Sequence, residues 1–135
     1  MKETGVSAMK KYFLLFCSCF LLLLAGCSNH TNANEKYPIT AQEGETAILL
    51  GETIYIEGEG AQSNANAVAV TTAGTYRLQG SLNNGMVEIS APEDTVKLIL
   101  DDATIRNEEG PAILVSAAKA VTITLAKNSQ NQLAD

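Results

Sequence analysis

The sequence predicts an all-β fold of the solenoid kind, with short strands winding in successive coils around one apolar column. Three observations carry this expectation. Apolar residues recur with period two from about Thr46 onward, with no sustained period of 3.6. Turn residues cut the runs apart at Gly58-Glu59-Gly60, Asn83-Asn84-Gly85, Pro92-Glu93-Asp94 and residues 107–111. The runs also repeat. Val87, Ile89 and Ser90 align with Ile113, Val115 and Ser116 at an offset of 26, and Val96, Leu98 and Leu100 align with Val121, Ile123 and Leu125 at an offset of 25.

The chain opens on a different texture. Lys2, Lys10 and Lys11 precede an apolar run over residues 12–24, followed by Leu24-Ala25-Gly26-Cys27. A basic start, a short apolar stretch and small residues at a cleavage point are the features of an export signal, here residues 1–26. The run is about 13 residues, shorter than the roughly 20 needed to span a bilayer. Met9 would serve as an alternative start, since Lys10 and Lys11 keep the basic end. Leu24-Ala25-Gly26-Cys27 resembles the lipobox of bacterial lipoproteins. That resemblance implies cleavage before Cys27, a lipid on its thiol and an extracytoplasmic protein anchored to the membrane at the cell surface. Cys17 and Cys19 leave with the signal, so the processed chain has no thiol for a disulfide, a metal or a nucleophile.

Residues 27–45 are expected to form a flexible polar tether. They are rich in Asn, Ser and Thr and too poor in apolar side chains to offset the entropy of ordering. His30 lies here and reads as a solvated tether residue. Processing also removes three of the nine basic residues and one of the fifteen acidic ones, leaving a net charge of −8. That balance disfavours nucleic acid, whose phosphates need Lys and Arg.

Residues 46–135 carry the strands. Ile54 and Ile56 share one face, with Tyr55 and Glu57 on the other. Val68 and Val70 follow, then Tyr76, Leu78, Gly80 and Leu82, then Val87 and Ile89. A looser match joins Tyr76, Leu78, Gly80 and Leu82 to Val96, Leu98, Leu100 and Ala103 or Ile105. A period in the twenties is the length of one solenoid coil. Val96 is expected beside Val121, and Leu98 beside Ile123, in parallel ladders about 4.8 Å apart. Each inward Val, Leu or Ile would contribute roughly 1.5–3 kcal/mol on burial, and several coils must stack for stability. An antiparallel sandwich of hairpins is the competing arrangement. Asn84-Gly85 alone offers the two-residue turn that such hairpins favour, and the repeat decides for the solenoid.

The blocks "AGTYRLQGSL", "TVKLILDDATIRNEEGPAILV" and "AVTITLAKNSQNQL" resemble the start of a bacterial family of secreted carbohydrate-binding domains similar to pectate-lyase-like β-helices. The resemblance runs from about Thr46 to Asp135. It implies a right-handed parallel β-helix that binds plant-cell-wall or acidic polysaccharide, with calcium held by surface carboxylates, and it does not carry a demonstrated catalytic activity with it. Such domains usually continue for more coils, so the chain reads as a truncated product or fragment. Its last coil would leave open strand edges that invite self-association.

The acidic clusters are the candidate calcium ligands. Asp101 and Asp102 end a strand, and Asn107, Glu108 and Glu109 lie one turn further on. Calcium takes six to eight oxygens, and no spaced D-x-D-x-D-G loop is present, so solvated turn residues are the alternative reading. Tyr55, Arg77 and Arg106 are the candidate carbohydrate contacts. Tyr55 and Arg77 sit on the outward phase of their strands, and Arg106 follows the inward Ile105. A lyase would need a base, often an arginine, and a glycosidase two carboxylates across a cleft. Neither constellation is defined by the sequence, and a polysaccharide lyase or a structural, adhesive solenoid without a sugar ligand are the alternative functions.

Overall fold

The computed structural model describes Ile39 and residues 41–135. The export signal, Cys27, His30 and the tether up to residue 38 lie outside the described residues. Eight strands form among them: β1 (Glu45–Leu50), β2 (Tyr55–Glu57), β3 (Ala61–Asn64), β4 (Ala67–Val70), β5 (Gly74–Asn83), β6 (Met86–Arg106), β7 (Ile113–Leu125) and β8 (Gln132–Ala134). No helix is present among the described residues. The fold is all-β, as expected. Ile39, expected in the tether, is buried, and Glu45 already belongs to β1, so ordered structure begins ahead of Thr46.

The long strands bend at corners, and their halves join three parallel ladders. In the first, β4, the start of β6 and the start of β7 run side by side, with Val68 beside Val87 and Val87 beside Ile113. In the second, β1, β5, the middle of β6 and the end of β7 align Ile48, Leu78, Leu100 and Leu125. In the third, the ends of β5 and β6 and β8 align Leu82, Ile105 and Leu133. Val96 pairs with Val121 and Leu98 with Ile123, as the period predicts.

Three features depart from the expectation. Tyr76 pairs with Leu98, two residues beyond the aligned Val96. Ser90 pairs with Ala117, not Ser116, because the β6–β7 register shifts by one after Ile89. The sheet is also mixed: β2 folds back antiparallel on β1, and β3 antiparallel on β4. Each antiparallel strand follows or precedes its partner through a short turn, which a period in the twenties does not reveal. Ala65, at positive φ, makes the β3–β4 turn.

The corner between the second and third ladders needs special backbone. Asp101 and Asp102 lie opposite a step in β5 between Leu78 and Gly80, and Asp102 has φ 57°. Gly80 itself has φ 89°, and a Cβ there would run into the Leu50 carbonyl oxygen. Only glycine takes that conformation without strain and admits so close a strand.

The core is the inward column of these ladders: Ile48, Val68, Val70, Tyr76, Leu78, Leu82, Val87, Ile89, Val96, Leu98, Leu100 and Ile105 are all nearly inaccessible. Tyr76 carries a polar tip into this column. Its hydroxyl lies 2.9 Å from the Thr72 carbonyl oxygen and 3.2 Å from that of Gly60, so the buried phenol is satisfied. Burial falls away in the last tier, where Val115, Ile123, Leu125 and Leu133 stand exposed although their ladder partners are buried.

Candidate functional site

Two outer surfaces of this scaffold concentrate polar groups, and they differ in how fully those groups are engaged. On the second ladder Arg77 points outward from β5, between Ala47 of β1 and Ile99 of β6. Its Nε and Nη2 donate to the Glu45 carboxylate at 2.9 and 3.2 Å, and its Nη1 donates to Asp101 Oδ2 at 3.2 Å. Gln79 Nε2 donates to the same Asp101 oxygen at 2.9 Å. The guanidinium is mostly covered by its neighbours. The hydrogen bond to Glu45 raises its pKa, burial opposes that, and the charges of Glu45 and Asp101 reinforce it. A bidentate carboxylate on one side and a second carboxylate on the other leave Arg77 tied into the sheet.

The remaining calcium candidates serve three separate local purposes. Asp102 Oδ1 accepts from the Gln130 backbone N–H at 2.7 Å, which ties the β6 corner to the segment between β7 and β8. Asn107 is buried; its Nδ2 donates to the Pro111 carbonyl at 3.0 Å and its Oδ1 accepts from the Glu109 amide at 3.2 Å. Glu108 and Glu109 are exposed turn residues. The structure does not bring Asp101, Asp102, Asn107, Glu108 and Glu109 to one point. Among the described residues no group of three or more His, Cys, Asp or Glu is placed to hold a metal ion. This donor set therefore does not fit a shell of six to eight oxygens.

Of the three carbohydrate candidates, Tyr55 is half-buried at the start of β2, paired with Leu49. Arg106 stands at the exposed end of β6, on the third ladder. That ladder turns Leu82, Ile105 and Leu133 inward, so the alternating residues face out. Ser81 pairs with Thr104 and Thr104 with Gln132; Asn83 pairs with Arg106 and Arg106 with Ala134. Neighbouring rungs lie about 4.8 Å apart, which makes these side chains one continuous polar strip.

A cavity opens at each side of the strip. One, of about 280 Å³, is lined by Gly51, Glu52, Asn66, Ser81 and Asn83. The other, of about 440 Å³, is lined by Arg106, Asn107, Glu108, Ala134 and Asp135. The floor is held by backbone. Gly85 N–H donates to the Arg106 carbonyl at 3.0 Å, Met86 N–H to that of Asn66 at 3.1 Å, and Asn107 N–H to that of Ala134 at 2.9 Å. A Cβ on Gly85 would collide with the Asn66 carbonyl oxygen, so this residue lets the β3–β4 turn close against the strip. In contrast to Arg77, the side chains of Ser81, Asn83, Thr104, Arg106 and Glu52 form no hydrogen bond or ion pair among the described residues. They present donors and acceptors to whatever fills the cavities.

Arg106 was legible as a candidate from its phase after Ile105, whereas Glu52, Asn66, Ser81 and Asn83 were not singled out. The alternation Ser81-Leu82-Asn83 marks an outward polar pair, but nothing in the sequence places Glu52 and Asn66 beside it.

Comparison with known proteins bears on the same region. Residues 64–135 match a family model described as "Carbohydrate-binding domain-containing protein". No curated protein matches the chain. Among solved structures, the chain is similar to one described as the polysaccharide lyase-like protein from C. thermocellum, a gadolinium derivative, with 26% sequence identity and a TM-score of 0.65. The similarity covers 67% of this chain and 38% of that one. This chain therefore spans well under half the length of that protein. All of the strip lies within the family match; Gly51 and Glu52 of the first cavity precede it.

Proposed function

The chain belongs to the family of carbohydrate-binding domain-containing proteins, and on that premise we propose that it is a surface-anchored lipoprotein holding polysaccharide on the strip of Ser81, Asn83, Thr104 and Arg106. One observation carries the placement. Among the described residues the strip is a run of unengaged polar side chains on a parallel ladder, continuous between two cavities. Amide, hydroxyl and guanidinium groups on such a ladder suit a ligand whose surface is mostly hydroxyl. The scaffold is read as the early coils of a right-handed parallel β-helix, which the parallel registers of β5, β6, β7 and β8 support. The lipid on Cys27 would hold the domain at the membrane surface. The sheet's exposed last tier would pair with a second copy.

Retention of the protein on insoluble polysaccharides tests the reading. Wild-type protein should be retained on at least one glycan, and Asn83→Ala with Arg106→Ala should lower that retention about tenfold, the loss of one or two hydrogen bonds to a charged or amide group. Equal retention of the double variant would reject the strip as the site.

The similarity to a polysaccharide lyase-like protein favours a second reading, cleavage of an acidic glycan. Proton abstraction would need a base near the ligand. Arg77 is bonded to two carboxylates and unsuited to that task, and the strip places only Arg106 among its basic groups. We therefore favour binding without turnover. Release of unsaturated sugar ends from pectic substrate would establish the lyase reading instead.

A further inference from the structure

We infer that the last tier closes on a second copy tail to tail, about a two-fold axis that passes beside Lys119; this rests on the pairing of that tier proposed above and is independent of what the strip binds. The two ends of the ladders are built differently. At the first end β2 and β3, of 3 and 4 residues, lie antiparallel on β1 and β4. Thr46 holds the link between them: its hydroxyl donates to the Glu59 carbonyl at 2.8 Å and accepts from the Glu59 N–H at 3.2 Å. Glu57, Glu59, Gln62, Ser63 and Asn64 are exposed there. Short edge strands with polar and charged side chains resist further pairing. At the other end β7 runs for 13 residues and pairs only with β6 among the described residues. Its inward-phase residues Val115, Ile123 and Leu125 are exposed.

The sequence of β7 matches itself in reverse. Residues equally far from Lys119 are alike: Ile113 and Leu125, Val115 and Ile123, Ala117 and Val121 on one phase, Ser116 and Thr122 on the other. Lys119 is exposed where the β6–β7 register steps between Ala91 and Thr95, and so divides β7 into a half on the first ladder and a half on the second. An antiparallel edge pairing centred there sets each half of β7 against the other half of its copy. Val115 of each copy then meets Ile123 of the other, and Ile113 meets Leu125. Leu133, the middle residue of β8 on the third ladder, meets its own counterpart. The β7 contacts occur twice, as a closed two-fold interface requires. Residues 113–134 carry the interface, about the 20 or more residues a side of a standard stable one.

Head-to-tail stacking would instead set these apolar side chains on Ser63 and the exposed glutamates. Lys119 and Lys127 would gain acidic partners there, but exposed ion pairs contribute little beside apolar burial. Such stacking also leaves a free end on each copy and grows into filaments. The tail-to-tail pair covers both last tiers and stops at two.

The test uses the full chain. Sedimentation velocity should show a monomer passing to a dimer with no larger species. An amine cross-linker applied to mixed light and heavy-isotope protein should join Lys119 to Lys119 between copies. Lys119→Glu replaces one like-charged pair by another and should leave the dimer about as strong. An equal mixture of wild type and Lys119→Glu sets opposite charges at the axis and should associate about threefold more tightly. Growth without limit, weakened by Lys119→Glu, would overturn this inference in favour of head-to-tail stacking and leave the pairing of the last tier standing. A dimer without the Lys119–Lys119 link would overturn the axis argued here. A monomer at every concentration would remove the pairing itself together with this inference, and would leave the glycan reading untouched.

Discussion

Leu100 and Leu125 are direct partners in one parallel ladder, yet Leu100 is 2% exposed and Leu125 is 64% exposed. The two side chains have the same chemistry and the same inward phase. Leu100 has ladder partners on both sides, Leu78 and Leu125, whereas Leu125 has Leu100 alone among the described residues. Burial in this fold therefore comes from the neighbouring strands of the ladder, not from the strand itself.

The exposed tier leads to the first prediction. Val115, Ile123, Leu125 and Leu133 form an apolar edge on β7 and β8, which pair only with β6 among the described residues, the arrangement that invites strand addition. Sedimentation velocity should show association that grows with protein concentration. Val115→Lys with Leu125→Lys should suppress it, because lysine on an open edge blocks pairing. Unchanged association in that variant would place the contact elsewhere.

The second prediction separates the tiers by energy. Leu98→Ala removes a wholly buried side chain and should cost about 2–5 kcal/mol in chemical denaturation. Its ladder partner Ile123 is 47% exposed, and Ile123→Ala should cost about 1 kcal/mol or less, in keeping with its partial burial. Equal costs would mean that the last tier is covered in solution.

The third concerns the corner. Gly80→Ala meets both a positive φ and the Leu50 carbonyl. The backbone term alone is about 1–2 kcal/mol, and the collision adds to it. A thermal melt should show a marked loss for Gly80→Ala and almost none for the neighbouring surface change Ser81→Ala. A silent Gly80→Ala would contradict the close approach of β1 and β5.

The fourth concerns Arg77. Arg77→Gln leaves Glu45 and Asp101 without their shared cation, and the loss should be about 1 kcal/mol, since the group is partly open to solvent. The folded state raises the arginine's pKa. A raised value stabilises the fold at all pH below the unfolded value and is lost only as pH climbs past the folded one. The difference between wild type and Arg77→Gln should thus stay level from neutrality to about pH 10. A difference that decays over that range would point to another titrating group.

Much of the scaffold was legible because its signal is local. Val96, Leu98 and Leu100 match Val121, Ile123 and Leu125 through period-two spacing, and their pairing follows. Tyr76 was misaligned by two because the length of a corner is set by backbone conformation, here Gly80 and Asp102 at positive φ, which composition does not encode. The hairpin returns of β2 and β3 escaped for a related reason: β2 returns through the four residues 51–54, and the two-residue turn Ala65-Asn66 between β3 and β4 lacks the Asn-Gly or Asp-Gly signature. The site was less legible still. Arg77 looked available by phase, but its partners Glu45 and Asp101 lie 32 and 24 residues away along the chain. Only the folded ladder shows that they meet.

The extra residue at the Asp101–Asp102 corner has a further consequence. Leu98 and Leu100 point inward at even positions, whereas Ala103 and Ile105 do so at odd ones. Asp102, at positive φ, absorbs that extra residue as a bulge, because β5 passes the same corner from Leu78 to Gly80 with one residue fewer and still turns Leu82 inward. Deleting Asp102 would give β6 the spacing of β5 and keep Ile105 inside, whereas deleting both Asp101 and Asp102 would turn Thr104 and Arg106 toward the interior and leave Ile105 in water. Loss of one residue at this corner should therefore be tolerated and loss of two rejected.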